Sequence, residues 1–183
     1  MLAYLWNDKV EVEVHSVCGS LVAKSRNMNA EYALRGNFTH LLFVDSDQTF
    51  PATTANELFS HRLPIVAANI ATKSHPPQQT ACLRPKLGDP VRLARKLTQS
   101  VGIEKAWRVG CGVMLIETEV FRRIEPPYFF NGWDPVEGLV GEDWYFLEKA
   151  EAAGIPLYVD HDLSARVTHV GPHHYVLPRY HPQ

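Results

Sequence analysis

Thr39-His40-Leu41-Leu42-Phe43-Val44-Asp45-Ser46-Asp47 runs four consecutive apolar residues straight into a pair of acids. A short continuous apolar run of this kind predicts a strand buried on both faces, as in a sheet covered by helices. Carboxylates two positions apart at the end of a strand lie on the same side of the pleat, so Asp45 and Asp47 are expected to share one hard cation or a nucleotide. An EF-hand loop is excluded, because Phe50 stands where that loop needs glycine.

Upstream, Val10, Val12 and Val14 alternate with Glu11, Glu13 and His15, which predicts a half-buried strand over residues 10–17. Leu21, Val22, Met28, Tyr32 and Ala33 then recur at helical spacing, with Ser20 as N-cap and Gly36 as stop. Downstream, Pro51 opens a helix in which Thr54 and Glu57 have capping-box spacing, and Pro64 precedes a second buried strand at 65–68. A strand at 112–116, a helix at 142–153 closed by Gly154, and strands at 155–159 and 165–167 complete the pattern. Strands alternating with helices predict one α/β domain over residues 1–183, with a mixed, mostly parallel sheet flanked by helices. In such sheets ligands collect outside the carboxyl ends of the strands, where Asp45 and Asp47 fall.

Composition narrows the function classes. Hydrophobic residues at 45% and charged residues at 21% exclude a disordered chain, and a net charge of -2 excludes a global positive field for nucleic acid or anionic membrane. The local exception is Arg84, Lys86, Arg92, Arg95 and Lys96 against Asp89, read as a solvated basic face or a phosphate contact. Cys18, Cys82 and Cys111 form no C-x-x-C, so buried thiols in a reducing, cytoplasmic compartment are expected rather than a disulfide framework or zinc knuckle. No apolar run reaches the length of a membrane span.

Five elements in order resemble the GT-A fold glycosyltransferases, especially the family 2-like enzymes of bacteria and phages. They are Ser25-Arg26-Asn27, the 39–47 stretch with its D-x-D, Gly110-Cys111-Gly112-Val113-Met114-Leu115-Ile116, Gly141-Glu142-Asp143 and Thr168-His169-Val170-Gly171. The resemblance spans roughly residues 10–171 and implies a GT-A-like, Rossmann-like fold. It also implies sugar transfer, with inversion, from a nucleotide-diphosphate sugar, a UDP-sugar foremost, to an acceptor hydroxyl. A divalent cation, Mn2+ or Mg2+, would stabilise the charge that develops on the leaving diphosphate.

By this resemblance Asp47 is a direct metal ligand, Asp45 contacts ribose and the metal's waters, and His169 is a second metal ligand. Arg26 falls where relatives place a cation near the nucleotide, and Glu142-Asp143 matches the acidic motif whose Asp is the general base. Lys73, just past a strand end, lies within reach of phosphate. The aromatic stretch Tyr128, Phe129, Phe130 and Trp133 precedes the acidic motif, as a cover for a sugar acceptor would. The acceptor class stays open among saccharide, lipid-linked sugar, protein and modified DNA.

GT-A domains begin with a strand and helix before the strand expected at 10–17, so the chain reads as N-terminally short. A second copy covering the exposed sheet edge is the expected remedy. Two rival readings remain. One is an inactive carbohydrate- or nucleotide-binding relative. The other is a haloacid dehalogenase-like phosphatase, since Phe43-Val44-Asp45-Ser46-Asp47-Gln48-Thr49 also fits its nucleophile loop, with Asp45 as nucleophile and Asp47 as acid and base.

Overall fold

The computed structural model describes residues 12–17, 19–86, 96–135 and 138–177. Its centre is a five-stranded sheet of β1 (His40–Val44), β3 (Ile65–Ala68), β4 (Ile103–Ala106), β5 (Val113–Glu117) and β8 (Leu157–Asp160), in the order β1-β5-β3-β8-β4. The architecture is mixed α/β, a mixed sheet flanked by helices. β1, β3 and β8 all run one way, so their carboxyl ends, at Asp45, Asn69 and Asp160, open on the same side.

Alternation along β3 divides the core in two. Ile65 and Ala67 join Phe43, Met114, Phe121, Phe129 and Phe146 on one face, where α1 (Val22–Arg35), α3 (Thr118–Arg123) and α4 (Glu142–Ala152) pack. Val66 and Ala68 join Leu58, Val113, Leu115 and Leu163 on the other, under α2 (Thr54–Ser60) and α5 (His161–Ser164). Two small sheets stand apart from the central one: β2 (Gln48–Thr49), β9 (Thr168–Val170) and β10 (His174–Tyr175) form one, and the hairpin of β6 (Gly132–Asp134) and β7 (Gly138–Val140), between α3 and α4, the other.

Several expectations are corrected. The sheet is not mostly parallel by pairing, because only β3 and β8 are parallel neighbours, while β5 separates β1 from β3 and β4 closes the far edge, both antiparallel. β1 is not buried on both faces: it is an edge strand paired only to β5 among the described residues, and Val44 is exposed. Residues 12–17 of the expected first strand pair with none of the described strands. Residues 10 and 11 of that strand, Cys18, and the basic residues Arg92 and Arg95 lie outside the described residues.

Helix faces and ends differ too. The buried face of α1 is Arg26-Ala30-Ala33, while Leu21, Val22 and Met28 are exposed. The N-cap position is Leu21, not Ser20, and makes no side-chain cap. In α2 it is Thr53, not Thr54, that donates its hydroxyl to Glu57, at 2.5 Å. Residues 165–167 are not a strand, because Ala165 caps α5 and pairing begins at Thr168. Gly154 does close α4, just past its C-cap, with φ of +72°.

At the far edge, Glu104 is buried: its Oε1 accepts from Thr98 N and Thr98 Oγ1, and its Oε2 accepts from Gln99 N and meets His161 Nε2 at 2.9 Å. Burial pushes its carboxyl up, but these donors outweigh it and hold the group below the ordinary range. Among the described residues no helix is long and apolar enough to cross a membrane.

Candidate functional site

The site is built outside the carboxyl ends of β1 and β3. β1 ends at Val44, the chain turns through Asp45 to Asp47, and β2 then pairs with β9 so that Gln48 lies opposite His169. That register sets His169 Nε2 3.1 Å from Asp47 Oδ2. His169 Nδ1 stands 2.8 Å from the Ala71 carbonyl. Nδ1 thus faces a carbonyl and Nε2 a carboxylate, and both partners only accept: an Nδ1–H held by Ala71 is the arrangement typical of a metal-ligating histidine, while the contact with Asp47 itself needs a hydrogen on Nε2.

Lys73 Nζ reaches the same Asp47 oxygen at 2.6 Å. Burial pushes the Asp47 carboxyl up, and the Lys73 and His169 hydrogen bonds outweigh it, holding the group below the usual carboxylate value. Asp45 turns elsewhere: Arg26 Nη2 donates to both its oxygens, at 3.1 and 3.3 Å. The two acids therefore do not share one partner, and among the described residues no three His, Cys, Asp or Glu side chains gather as an ion-binding group. The expected triad of Asp45, Asp47 and His169 reduces to the pair Asp47 and His169, because the buried Arg26 draws Asp45 toward α1.

Arg26 has a side chain only 7% exposed and bridges two motifs, since its Nε lies 3.6 Å from Glu142 Oε1 at the start of α4. A guanidinium keeps its charge at any accessible pH, so its burial requires these two carboxylates. Asp143, next along, takes the Trp144 N–H on Oδ1 at 2.8 Å. Burial, with the Glu142 charge second, raises the Asp143 carboxyl above its ordinary value. All seven residues singled out by sequence thus fall into two linked groups, Asp47-Lys73-His169 and Asp45-Arg26-Glu142-Asp143.

Gly110 and Gly112 lie as a floor between them. A Cβ on Gly112 would come within 2.4 Å of Ile70 Cδ1 and 3.4 Å of both Asp45 Oδ2 and Gln48 Nε2. A Cβ on Gly110 would lie 3.6 Å from Thr80 Oγ1 and 3.7 Å from Asp143 Oδ2. Around this floor three buried polar atoms lack a hydrogen-bond partner among the described residues: Arg26 Nη1, Gln48 Oε1 and Thr80 Oγ1. Such atoms are costly to leave unmade in a native interior.

Sequence reasoning missed Gln48, Asn69 and Thr80. Asn69 is buried at the end of β3; its Oδ1 accepts from Thr80 N and Ala81 N, and its backbone N–H donates to Ser164 Oγ. It thereby brings Thr80 to Gly110. The only sequence signal was the position of Asn69 at the end of a buried apolar strand, the same signal that marked Asp45.

The aromatic stretch divides. Tyr128 and Phe129 are core, anchored by Asn27, whose Oδ1 accepts from both their N–H groups and whose Nδ2 donates to the Phe129 carbonyl. Phe130 is exposed, and on the β6-β7 hairpin Trp133 is 76% and its cross-strand partner Leu139 74% exposed. Cys111, as expected, is buried and free, with burial pushing its thiol up; Cys82 is free and half-buried. Arg84 pairs with Glu151 rather than standing in a free basic face.

Fold and site together define a mixed α/β domain with a cluster of polar and charged side chains at the carboxyl ends of its strands. No family profile matches the chain, and no curated protein does. Among solved structures it is similar to A197 from STIV, at 17% identity and a TM-score of 0.55, over 84% of this chain and 69% of that one. That likeness shows a shared fold.

Proposed function

We propose that the chain is a metal-dependent glycosyltransferase of GT-A-like fold, transferring a sugar from a nucleotide-diphosphate donor to an acceptor hydroxyl with inversion. The observation that carries this reading is His169 Nε2 turned to Asp47 Oδ2 while Nδ1 is tied to the Ala71 carbonyl. The donors fit a divalent ion: a 3.1 Å gap between the two is the edge spanned by neighbouring ligands about 2.1 Å from one ion. The imidazole of His169 and the carboxylate of Asp47 would hold a divalent ion such as Mn2+. When bound, the ion supplies charge stabilisation to the leaving diphosphate.

The chain's own residues do the rest. Arg26 Nη1, buried and unpartnered, donates to the nucleotide alongside Asp45. Asp143 takes the acceptor's proton as the acceptor oxygen bonds the anomeric carbon and the bond from that carbon to the diphosphate oxygen breaks. Its raised affinity for a proton suits it as the base. The exposed indole of Trp133 offers a stacking face for the acceptor, which favours a saccharide. Arg26 holding both oxygens of Asp45 argues against the phosphatase reading, where Asp45 is a free nucleophile.

A thermal-shift screen of UDP-, GDP-, CDP- and ADP-sugars with and without Mn2+ tests the proposal. Stabilisation that needs both components is expected, about 2.7 kcal/mol at one hundred times the dissociation constant. No stabilisation by any donor, or hydrolysis of phosphoryl esters instead, overturns it.

A further inference from the structure

We infer that Lys73 holds the cation's place on Asp47 in the free protein, so that divalent ion and nucleoside diphosphate bind as a coupled pair; this rests on the glycosyltransferase reading above. The oxygen that His169 faces at 3.1 Å is the one Lys73 Nζ occupies at 2.6 Å, whereas Oδ1 has only a 3.4 Å contact with Gln48 Nε2. An ion seated between Asp47 and His169 therefore meets an ammonium on the same carboxylate oxygen. The pair Asp47 and Lys73 is already neutral, and the negative charge left on Asp45 and Glu142 by their one shared Arg26 lies on that guanidinium's side, not on the Asp47 oxygen that would meet the ion. The diphosphate brings negative charge. It repays the ion and gives the displaced ammonium a second anionic partner.

The geometry allows the exchange by side-chain motion alone. Backbone hydrogen bonds from Thr72 N to Gln78 O and the bridge between Ala71 and Gln79 hold the loop that carries Lys73. Its four-carbon stem lies along Gly171, with Cδ 3.5 Å and Cε 3.7 Å from where a Cβ would stand, and the side chain is 39% exposed. Rotating that stem moves the ammonium off Asp47 without disturbing the loop.

Titration calorimetry with Mn2+ alone, and with Mn2+ in the presence of UDP, GDP, CDP or ADP, tests the inference on the wild type and Lys73→Met. Lys73→Arg preserves the charge, and Lys105→Gln on β4, the opposite edge of the sheet, controls for net charge. Expected is that Lys73→Met binds Mn2+ alone about tenfold tighter, while the gain in Mn2+ affinity given by the diphosphate shrinks by a similar factor. Lys73→Arg and Lys105→Gln stay near wild type. Mn2+ affinity that is equal, weaker or undetectable in Lys73→Met, with a wild type that binds Mn2+ and diphosphate together, overturns the inference and leaves the transferase reading standing. Failure of every protein to bind Mn2+ with any of the diphosphates overturns both.

Discussion

His169 Nε2 stands 3.1 Å from Asp47 Oδ2 although 122 residues separate the two in the chain. The contact is not a chance meeting of loops, because Gln48 and Thr49 pair in register with His169 and Thr168. A backbone ladder thus fixes the separation of the two side chains, and their chemistry inherits the rigidity of a sheet.

The two acidic motifs separate by experiment. Asp47→Ala is expected to weaken binding of Mn2+ and nucleotide together with turnover, while Asp143→Asn leaves nucleotide binding near wild type and lowers turnover by about 10² or more. Calorimetry of donor binding beside a product assay checks both. Loss of donor binding in Asp143→Asn would falsify its role as the base.

Stability carries a second signature of Asp143. Burial and Glu142 raise its folded-state value above the ordinary one, so the stability it lends is present below the unfolded value and lost as pH rises through the folded one. Asp143→Asn removes the cost of the buried charge. Its melting temperature is expected to exceed wild type at pH 7, with the gap closing below about pH 4. Differential scanning calorimetry across that range measures it, and a constant gap contradicts the assignment.

Arg26→Met leaves Glu142 and Asp45 facing each other without their cation. Arg26 is buried but Asp45 is 43% exposed, so solvent screens part of the loss, and urea unfolding is expected to show about 1 kcal/mol, with Arg26→Lys intermediate. An unchanged midpoint in Arg26→Met means the guanidinium is not what holds α1 to the start of α4.

Trp133 is expected to matter to the acceptor alone. Because its side chain is exposed, Trp133→Ala changes stability by less than about 0.5 kcal/mol. A several-fold rise in acceptor KM with donor KM unchanged is the expected kinetic result, read from steady-state assays with a saccharide acceptor.

The edge of β1 that no described strand pairs makes its own prediction. A groove of about 570 Å³ runs beside it, lined by Val12, Val14, Leu41, Phe43 and Phe59 among others. Sedimentation velocity is expected to show concentration-dependent dimers, and Phe59→Lys to weaken them. A monomer at every concentration removes the second copy as its cover.

What was legible in the sequence followed from local signals. The apolar run into Asp45 and the acidic first turn of α4 each announce themselves within a few residues, and both stand where expected. The buried face of α1 was not legible, because Arg26 lies on it and its burial depends on Glu142, far along the chain. The IEKA of β4 shows no apolar alternation, since Glu104 is buried against His161 rather than exposed. The valines of residues 12–17 alternate like a strand, yet pairing is a property of neighbours and none of the described strands reaches them.

The pairing of β2 with β9 also dates the site in the life of the molecule. A ribosome adds about 5 to 20 residues each second, so Asp47 and Lys73 emerge well before the strand bearing His169. During that interval β2 has no ladder to join, and β3 waits equally for β8. The meeting of Asp47 with His169 is therefore a late event of synthesis, and a nascent chain arrested before Thr168 carries the acids without the imidazole.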